Sequence, residues 1–306
     1  MFAARVLANL YPLSRRLPAS RTKSRLGRIL TAVIAPLKGD LALTARLHDG
    51  SVVLLDPRSR TEAYPYWNGE YEVELVEFLK ACVRPGDTVF DVGANVGLIA
   101  IPLARHLSTV GGSLVGFEPI PSNFRRLQSA IELNELTNVR IFNVALGDHE
   151  GTVDLFLEND FGASTGNAVL ACENDGERRH QRFSVKLWTL DNFAQAERLD
   201  SCSLMKLDIE GAEIMLLRGA QAFIQKHRPV IYGEFHAQLI KKFGYSFLDV
   251  AAMTNSWGYR IFGFERRANS LRLKELLEPK VGMGDCLFIP KERVDSVPHE
   301  ITLGAY

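Results

Sequence analysis

The chain has 306 residues, 46% of them hydrophobic and 24% charged, which is the composition of a globular protein with one large domain or two small ones. Its 36 basic and 36 acidic residues balance, which excludes the strong overall positive charge of many nucleic-acid-binding proteins. No apolar run is long enough to cross a bilayer, and the four cysteines are too widely spaced to indicate a zinc site or a disulfide framework. We therefore expect a cytoplasmic protein with reduced cysteines.

The basic residues are concentrated at the N-terminus. Residues 1–39 contain eight basic residues and no acidic one, which leaves 28 basic and 36 acidic residues, a net charge of −8, in the rest of the chain. Three interpretations remain open: a loosely docked extension, a basic amphipathic helix in weak peripheral contact with an anionic membrane, and an organelle transit peptide. A signal peptide is not predicted, because Pro12 interrupts the early apolar stretch and no small-residue cleavage site follows.

Residues 41–56 predict a β-hairpin with a turn at Asp49 and Gly50. The following segment, residues 58–70, is rich in turn formers and aromatic side chains. Residues 70–83 have apolar side chains at helical spacing, and the sequence RPGD ends that helix.

The next part of the chain predicts a strand, a glycine turn and a helix. A β-branched run at residues 88–90 ends in Asp91, and the sequence DVGANVG leads into the helix. A second strand at residues 113–117 ends at Glu118, and Ser122 has the chemistry of an N-cap for a helix to about residue 136. Strands are then predicted at 139–144 and 151–157, followed by a long loop at 159–182 that is rich in glycine, serine, asparagine and charge.

The remaining sequence continues the alternation of strands and helices. The predicted strands are 183–187, 203–209, 229–232, 259–264 and 285–289, and the predicted helices begin at 189, run over 212–220 and 247–257, and include a charged helix between the last two strands. This alternation predicts an α/β fold with a Rossmann-like, doubly wound, mainly parallel sheet and an N-terminal helical and hairpin extension. We expect three parts: a basic extension (1–40), the hairpin with the aromatic segment (41–70) and the main domain (71–306).

Polar residues recur where the predicted strands end. Ligands of doubly wound sheets bind beyond the carboxyl ends of the strands. This recurrence is the strongest functional signal in the sequence, and the residues concerned are Asp91, Glu118, Asp148, Asp208, Glu210, Glu234 and His236.

The glycine turn has the pattern D-x-G-x-N-x-G, which fails the dinucleotide fingerprint G-x-G-x-x-G, and the chain has no P-loop sequence. Asp91 at the strand end would repel a pyrophosphate and attract a cation. Glu118 can accept hydrogen bonds from two ribose hydroxyl groups. A nucleoside with a positively charged, phosphate-free tail fits these features, and S-adenosylmethionine, with its sulfonium and ammonium groups, is such a ligand.

Several longer runs together resemble the FkbM family of class I S-adenosylmethionine-dependent methyltransferases. The resemblance extends over about residues 64–289 and leaves out the N-terminal extension and the hairpin. The runs that carry it are NGEYEVE (68–74), VFDVGANVGLIAIPLA (89–104), GFEPIPSNFRRLQSAIELN (116–134), NVALGDHEG (143–151), TLDNF (189–193) and LMKLDIEGAEIMLLRGA (204–220).

The resemblance implies a set of cofactor-binding residues. They are Asp91, Gly93, Asn95 and Gly97 for the cofactor, Glu118 for its ribose, and Asn123, Ala145 and Leu146 near the ribose or adenine. The structural alternatives are a plain tight turn at the glycines and a charge at a helix N-terminus for the glutamate.

Methyl transfer to a hydroxyl group requires alignment of the acceptor and removal of its proton. Lys206 and Asp208 share one face of a predicted strand, and a buried Lys206 needs a partner, which Asp208 or Glu234 could supply. We expect Asp208 or Glu210 to orient the acceptor or accept its proton. The alternative is a structural network between the lysine and the carboxylates.

His236 is the one histidine at a predicted strand end, and the roles of general base, substrate contact and structural residue remain open for it. We hypothesise that Glu234 and His236, with Asp208, form the acceptor side of the site. Glu213, one helical turn after Glu210, raises the alternative of a Mg²⁺ ion on three carboxylates. A solvated helix start is favoured over it, and no metal is predicted.

Two segments, residues 64–71 and 161–170, are candidates for the acceptor pocket. Tyr66, Trp67 and Tyr71 could stack on a sugar or shield the sulfonium, or they could pack the neighbouring helix onto the core. The leading prediction is O-methylation of a hydroxyl group of a small molecule or glycan. The alternatives are N-methylation and a non-catalytic S-adenosylmethionine-binding protein docked at a membrane or a partner; the oligomeric state is not indicated.

Overall fold

A computed structural model describes residues 41–59, 61–160, 163–170, 180–267, 270–277 and 284–303, together with Gly27, Ile29 and Thr31. The helices are α1 (Ala63–Asn68), α2 (Val73–Cys82), α3 (Ala100–Thr109), α4 (Pro121–Leu133), α5 (Leu190–Glu197), α6 (Glu213–Gly219), α7 (Gln221–His227), α8 (Ala237–Lys242) and α9 (Phe247–Ser256), and a 3-10 helix spans Lys291–Ser296. The strands are β1 (Leu43–Arg46), β2 (Val52–Leu55), β3 (Thr88–Val92), β4 (Ser113–Phe117), β5 (Val139–Phe142), β6 (Ala145–Leu146), β7 (Gly151–Asp160), β8 (Ala163–Leu170), β9 (His180–Trp188), β10 (Leu204–Leu207), β11 (Val230–Glu234), β12 (Tyr259–Arg267), β13 (Ser270–Glu275), β14 (Asp285–Pro290) and β15 (Glu300–Thr302).

The central sheet has nine strands in the order β15-β13-β12-β14-β11-β10-β3-β4-β5. The five strands from β11 to β5 are parallel, whereas β14 lies antiparallel between β11 and β12. The direction of chain progression reverses at β3, since β4 and β5 follow on one side and β10 and β11 on the other. This reversal creates a crevice beyond the carboxyl ends of β3 and β10. The predicted Rossmann-like, doubly wound, mainly parallel sheet is confirmed.

The two faces of the sheet carry separate hydrophobic layers. Side chains alternate along each strand, so that Val89 packs with α2, α3 and α4 on one face while Phe90 packs with α5, α6, α7 and α9 on the other. Asp91 lies two residues after Val89 on β3, and Lys206 lies two residues after Leu204 on β10, so each shares the face of its earlier neighbour. Their charged side chains therefore lie on the α3 face, at the edge of an otherwise apolar layer.

The predicted hairpin, β1 with β2, is confirmed and packs onto α4. Its turn is held by Asp49, whose Oδ1 accepts the Ser51 amide at 3.0 Å. Arg126 of α4 donates a hydrogen bond to the carbonyl oxygen of Leu54 at 2.7 Å and forms a buried ion pair with Glu62. These contacts fix the hairpin and the segment after it against the main sheet; the division of the chain at residue 70 stays a prediction.

A second sheet of four strands, in the order β6-β9-β7-β8, lies beside the first. The prediction of a loop at residues 159–182 was wrong for the described residues, because β7 extends to Asp160, β8 spans Ala163–Leu170 and β9 begins at His180. Among the described strands, β8 pairs with β7 alone, and such backbone pairing does not require the apolar alternation that reveals a strand in a sequence. Residues 161, 162 and 171–179 of the predicted loop lie outside the described residues.

The charged helix predicted between the last two strands was also wrong, because Ser270–Glu275 form β13 instead. Leu271 and Leu273 are buried and alternate with exposed Arg272 and Lys274, which is a period of two. The charged side chains of the outer face obscured this alternation in the sequence.

Smaller differences concern the ends and number of helices. Ile120, not Ser122, is the N-cap of α4, because Pro121 occupies the first helical position, where its missing N–H group has no consequence. Helix α1 lies within the segment predicted as turns, and α8 follows β11 without a sequence signal that we recognised. The helix predicted at 247–257 is confirmed as α9.

Within the described ranges, every helix is too short or too polar to traverse a bilayer. The basic extension lies outside the described residues except for Gly27, Ile29 and Thr31. Thr31 accepts a hydrogen bond from the indole of Trp67 at 3.2 Å.

Candidate active site

A cavity of about 480 Å³ opens in the crevice beyond β3 and β10, and its volume is in the range of small-molecule sites. One side, which we call the turn end, is lined by Gly93, Ala94, Asn95 and Glu118. A neighbouring part of the lining, which we call the acidic end, consists of Asp208, Glu210 and Glu234.

The glycine turn has the backbone geometry that its sequence predicts. Gly93 and Gly97 have φ values of +81° and +92°, and Asn95 has a φ of 50°, a left-handed conformation that asparagine tolerates. A Cβ atom at Gly93 would lie 1.9 Å from the carbonyl oxygen of Asp208, so only glycine lets the turn approach the end of β10. A Cβ atom at Gly97 would meet side chains of Leu127 and Ile101, which gives Gly97 a packing role away from the cavity.

Glu118 is 4% exposed and is held in one orientation. Its carboxylate accepts the Asn95 amide at 2.8 Å and the Ile120 amide at 2.9 Å, and the Asn123 side chain also hydrogen bonds to it. Burial raises the pKa of Glu118 to about 7, although these hydrogen bonds act in the opposite direction. Asn123 therefore acts through Glu118 and does not line the cavity.

Lys206 connects the two ends of the cavity. Its Nζ atom lies 2.9 Å from Asp91 Oδ1, 3.2 Å from the Gly93 carbonyl oxygen and 3.5 Å from Asp208 Oδ2. Burial alone would lower the pKa of Lys206, but the carboxylates of Asp91 and Asp208 outweigh burial and raise it. The sequence predicted a partner at Asp208 or Glu234; Asp208 is one partner, and the nearest partner is Asp91 on the neighbouring strand.

The acidic end brings together three of the five predicted catalytic residues. Lys206 contacts it through Asp208, and His236 contacts it through Glu234. Glu210 has a left-handed φ of 57° and a half-buried side chain. Burial, followed by the charges of Asp208 and Glu234, raises its pKa to about 7. Burial also raises the pKa of Glu234, whose Oε1 atom lies 2.5 Å from His236 Nε2.

Glu213 has a different position from the other carboxylates of this region. It is 1% exposed, and its Oε1 atom accepts the amides of Ile209 and Gly211 at 3.1 Å each. It thereby holds the turn that carries Glu210. In the part of the chain that the structure describes, no set of three His, Cys, Asp or Glu side chains is arranged to hold a metal ion.

Four residues next to the acidic end were not recognised in the sequence as a group. Tyr71 lines the cavity. Burial and then the charge of Glu72 raise the pKa of Tyr71. Glu72 is exposed and has a left-handed φ of 40°. Tyr232, the cross-strand neighbour of Lys206, donates a hydrogen bond to Asp285, which pairs with Glu234 in register. The proximity of Glu72 and Asp285 depends on how distant elements pack, which no local pattern reveals.

The predicted aromatic pocket is only partly present. Tyr66 and Trp67 are 1% and 2% exposed, and their rings pack edge to face at 4.8 Å within the hydrophobic core. Of the two roles that the sequence left open for these aromatic residues, core packing holds for Tyr66 and Trp67, whereas Tyr71 lines the cavity. Within the other predicted segment, Phe161 and Gly162 lie outside the described residues.

Ala145 and Leu146, for which the resemblance implies a position near the ribose or adenine, line the cavity. Asp148 and His149 follow them along the cavity wall. The second sheet completes this wall with the apolar side chains of Val153, Leu155 and Leu187. These three residues carry no sequence signal beyond strand alternation.

The turn end fits a positively charged nucleoside ligand. Asp91 is buried, and its Oδ2 atom has no hydrogen-bond partner among the described residues. A buried, unpaired carboxylate oxygen favours a cationic group such as an ammonium. The basic residues that line the cavity in the described ranges are Lys206 and His149, and Lys206 is already bonded to Asp91, so a pyrophosphate would lack a counter-charge here.

Comparison with known proteins identifies methyltransferases as relatives of this chain. The family model described as the methyltransferase FkbM domain matches residues 91–261. The 2-O-methyltransferase NoeI of Sinorhizobium fredii is 28% identical over 206 residues, which are 63% of this chain and 81% of that protein. The hexuronic acid methyltransferase AglP of Haloferax volcanii is 23% identical over 166 residues, 54% of this chain and 63% of that protein.

Among solved structures, the methyltransferase FkbM from Methylobacillus flagellatus matches with a TM-score of 0.42 and 18% identity. The match covers 67% of this chain and 44% of that one. The family model, in contrast, spans more than half of the chain, including the glycine turn, Glu118 and the acidic end. The chain belongs to the FkbM family of S-adenosylmethionine-dependent methyltransferases.

Proposed function

We propose that this protein transfers a methyl group to a hydroxyl group of a small molecule or glycan. The observation that carries the proposal is the single cavity that joins the turn end to a cluster of carboxylates with an attached histidine. Carboxylates and histidine are the groups that proteins use to orient hydroxyl groups and to accept their protons. The name of AglP, a hexuronic acid methyltransferase, supports an acceptor of the sugar class, and the name of NoeI, a 2-O-methyltransferase, supports methylation on oxygen.

The turn end is assigned to the methyl donor. When bound, S-adenosylmethionine supplies a methyl group on a positively charged sulfur. Asp91 offers its free Oδ2 atom to the ammonium group, and Glu118 offers its carboxylate to the ribose. Gly93 and Asn95 shape the turn, and the cavity wall at Ala145 and Leu146 receives the base. Gly97 and Asn123 support this arrangement through packing and through Glu118.

The acidic end is assigned to the acceptor. Asp208 and Glu210 orient the hydroxyl group, and Glu234, backed by His236, accepts the proton as the oxygen gains its methyl group. Lys206 positions Asp208 against the turn end because it binds Asp91, Gly93 and Asp208 together. Apolar residues of the second sheet exclude water from the other wall of the cavity.

The proposal is tested with methyl-labelled S-adenosylmethionine and two acceptor pools, neutral glycans and small-molecule extracts. We expect label in a methyl ether, which survives the alkaline treatment that cleaves methyl esters. Asp208→Asn and Glu234→Gln should each lower kcat by about a hundredfold to ten-thousandfold, the range of lost acid–base catalysis. Binding of S-adenosylhomocysteine, measured by calorimetry, should stay within a few-fold of the original protein.

Glu265→Gln, at an exposed site on β12, serves as the control and should keep full turnover. Unchanged turnover after alanine substitution of Asp208, Glu234 and His236 would contradict the acceptor assignment. Label on nitrogen would replace O-methylation by N-methylation. The cytoplasmic location and the weak membrane contact through the basic residues 1–40 stay predictions.

A further inference from the structure

Five carboxylates from four parts of the chain surround the acidic end. Asp208 and Glu210 follow β10, Glu234 ends β11, Asp285 begins β14, and Glu72 precedes α2. Asp208, Glu210 and Glu234 line the cavity, Asp285 lies opposite Glu234 in the register of β11 and β14, and Glu72 follows Tyr71, which also lines the cavity. Two of them, Glu72 and Asp285, lie outside the segment that the family model matches.

Among the described residues, Lys206 and His236 are the cationic side chains paired with this cluster. Lys206 also binds Asp91 and the Gly93 carbonyl oxygen. His236 contacts Glu234 from an exposed position. Neighbouring like charges disfavour simultaneous ionisation of carboxyl groups.

The conformation of the backbone also marks the site. Six residues other than glycine have positive φ values in the described part of the chain. Three of them, Glu135, Arg198 and Arg228, lie at the C-terminal ends of helices, where this conformation is common. The other three, Glu72, Asn95 and Glu210, are at or beside the cavity, and strained conformations of this kind concentrate at functional sites.

The protonation of the cluster follows from this packing. Burial first, and then Asp208, raise the pKa of Glu210 to about 7. Burial and Asp208 also raise the pKa of Glu72 to about 7, although solvent screens this more exposed residue. The titratable and charged groups that face the cluster are Tyr71 and Glu72 before α2, Asp91 on β3, Lys206 and Asp208 on and after β10, Glu213 on α6, Tyr232 and Glu234 on β11, His236 before α8 and Asp285 on β14.

We propose that this carboxyl cluster, including Glu72, distinguishes the methyl donor from the spent product by charge: it gives up a proton to solvent when S-adenosylmethionine binds and keeps that proton when S-adenosylhomocysteine binds. The inference rests on the proposed placement of the donor at the turn end. At neutral pH the donor carries one more positive charge than the product, because only the donor has a sulfonium. The released proton comes from a carboxyl O–H group, which becomes a carboxylate.

The distances in the cavity are short enough for this effect. Gly93 of the turn and Asp208 of the acidic end are in direct backbone contact, and one lysine side chain reaches both. A unit positive charge about 6 Å from a carboxylate, at an effective dielectric constant of about 20, favours the ionised form by about a hundredfold. The carboxylate left by the proton is then ready to accept the proton of a hydroxyl acceptor.

Calorimetric titration of the full chain tests the proposal without an acceptor. S-adenosylmethionine and S-adenosylhomocysteine are each titrated at about pH 7 in phosphate and in Tris, whose different ionisation enthalpies reveal the number of protons released. We expect the protein to release at least about half a proton more when it binds S-adenosylmethionine than when it binds S-adenosylhomocysteine. The affinity for the donor relative to the product should also rise severalfold between about pH 6 and pH 8.

Glu210→Gln and Glu72→Gln should each reduce the difference in proton release. The matched control is Glu77→Gln on α2, whose carboxylate pairs with Lys80 at 2.9 Å, and it should leave the difference unchanged. Equal proton release for the two ligands in the original protein would overturn the inference and leave the proposed function intact. If neither ligand binds, the placement of the donor is wrong and the inference falls with it.

Discussion

At the scale of single residues, Gly93 is the position where the cavity tolerates least change. Its φ of +81° is left-handed, and a Cβ atom there would collide with the carbonyl oxygen of Asp208. Gly86 offers a natural comparison, because it has the same φ of +81° and no atom within 4 Å of a Cβ position. The two glycines therefore separate backbone strain from steric contact.

Gly93→Ala should destabilise the protein by about 3 kcal/mol or more, because the turn must move away from β10 as well as adopt a strained conformation. Gly86→Ala should cost only about 1 kcal/mol, the strain of a left-handed alanine. Urea denaturation measures both values. Calorimetry should show at least a tenfold weaker binding of S-adenosylhomocysteine for Gly93→Ala and little change for Gly86→Ala. Equal losses in the two variants would show that contact with Asp208 is unimportant.

The sequence predicts these residues better than it predicts their partners. The left-handed turn at Gly93 follows from its glycines, and the shared face of Lys206 and Asp208 follows from strand periodicity. The nearest partner of Lys206, Asp91, was missed because strand order in a sheet is not encoded within either strand. The core positions of Tyr66 and Trp67 were ambiguous because an aromatic residue serves equally in a core and in a pocket.

At the scale of elements, the buried pair of Glu62 and Arg126 joins the hairpin segment to α4. Glu62 also accepts the Asp56 amide at 2.8 Å, and Thr61 and Glu62 line the cavity. Removal of one partner leaves an uncompensated buried charge, whose penalty is large even where the intact pair contributes little. The position of this cavity wall therefore depends on a contact between two separate elements.

Arg126→Met should destabilise the protein by about 3–5 kcal/mol in urea denaturation, because Glu62 would remain buried without its counter-charge. The double variant with Glu62→Gln should recover part of this loss. Binding of S-adenosylhomocysteine should weaken in the single variant, since the wall at Thr61 loses its anchor.

The exposed ion pair of Arg140 and Glu197 provides the control for the buried pair. Arg140→Met should change the stability by no more than about 1 kcal/mol. An equally small effect of Arg126→Met would mean that the buried pair does not anchor the segment.

Sequence patterns were reliable for elements whose burial differs clearly between faces. The hairpin, α2 and α9 were predicted for this reason, whereas the inner parallel strands, which are buried on both faces, were predicted from continuous apolar runs. Strand β13 was missed because its exposed face is charged, and β8 because it is an edge strand without apolar alternation. Helix α1 was missed because Pro65 lies within it and Gly69 follows it directly, and both residue types mark turns more often than helices.

At the scale of the whole molecule, buried carboxyl groups couple stability to pH. Glu118 and Glu213 are almost fully buried, and burial raises the pKa of each from 4.5 to about 7. Between these values the folded chain holds more protons than the unfolded chain, so the stability that these groups contribute is lost as the pH rises through about 7. For each group, the free energy of unfolding falls by at most about 1.4 kcal/mol per pH unit.

The ligand-free protein should accordingly be less stable at about pH 8 than at about pH 6 in urea denaturation. Glu213→Gln should flatten this dependence, whereas Glu197→Gln at an exposed site should leave it unchanged. A stability that rises over this interval would contradict the raised pKa values.

The whole-molecule arrangement was the part of the fold that local patterns described least. The doubly wound sheet and its crevice follow from the alternation of strands and helices. The acidic end, however, is completed by Glu72 and Asp285, which approach it only after distant segments have packed. Sequence analysis consequently identified the turn end residue by residue and the acidic end only in outline.

The position of β14 has a consequence for how the chain folds during synthesis. This strand comes from the C-terminal part of the sequence, yet it lies inside the sheet, between β11 and β12. While the ribosome is still making residues 285–290, the edge of β11 has no neighbour on that side, and unpaired edges of this kind favour aggregation. The glycine turn and β10 can assemble earlier, so the nascent chain acquires its nucleoside site before Asp285 completes the opposite wall.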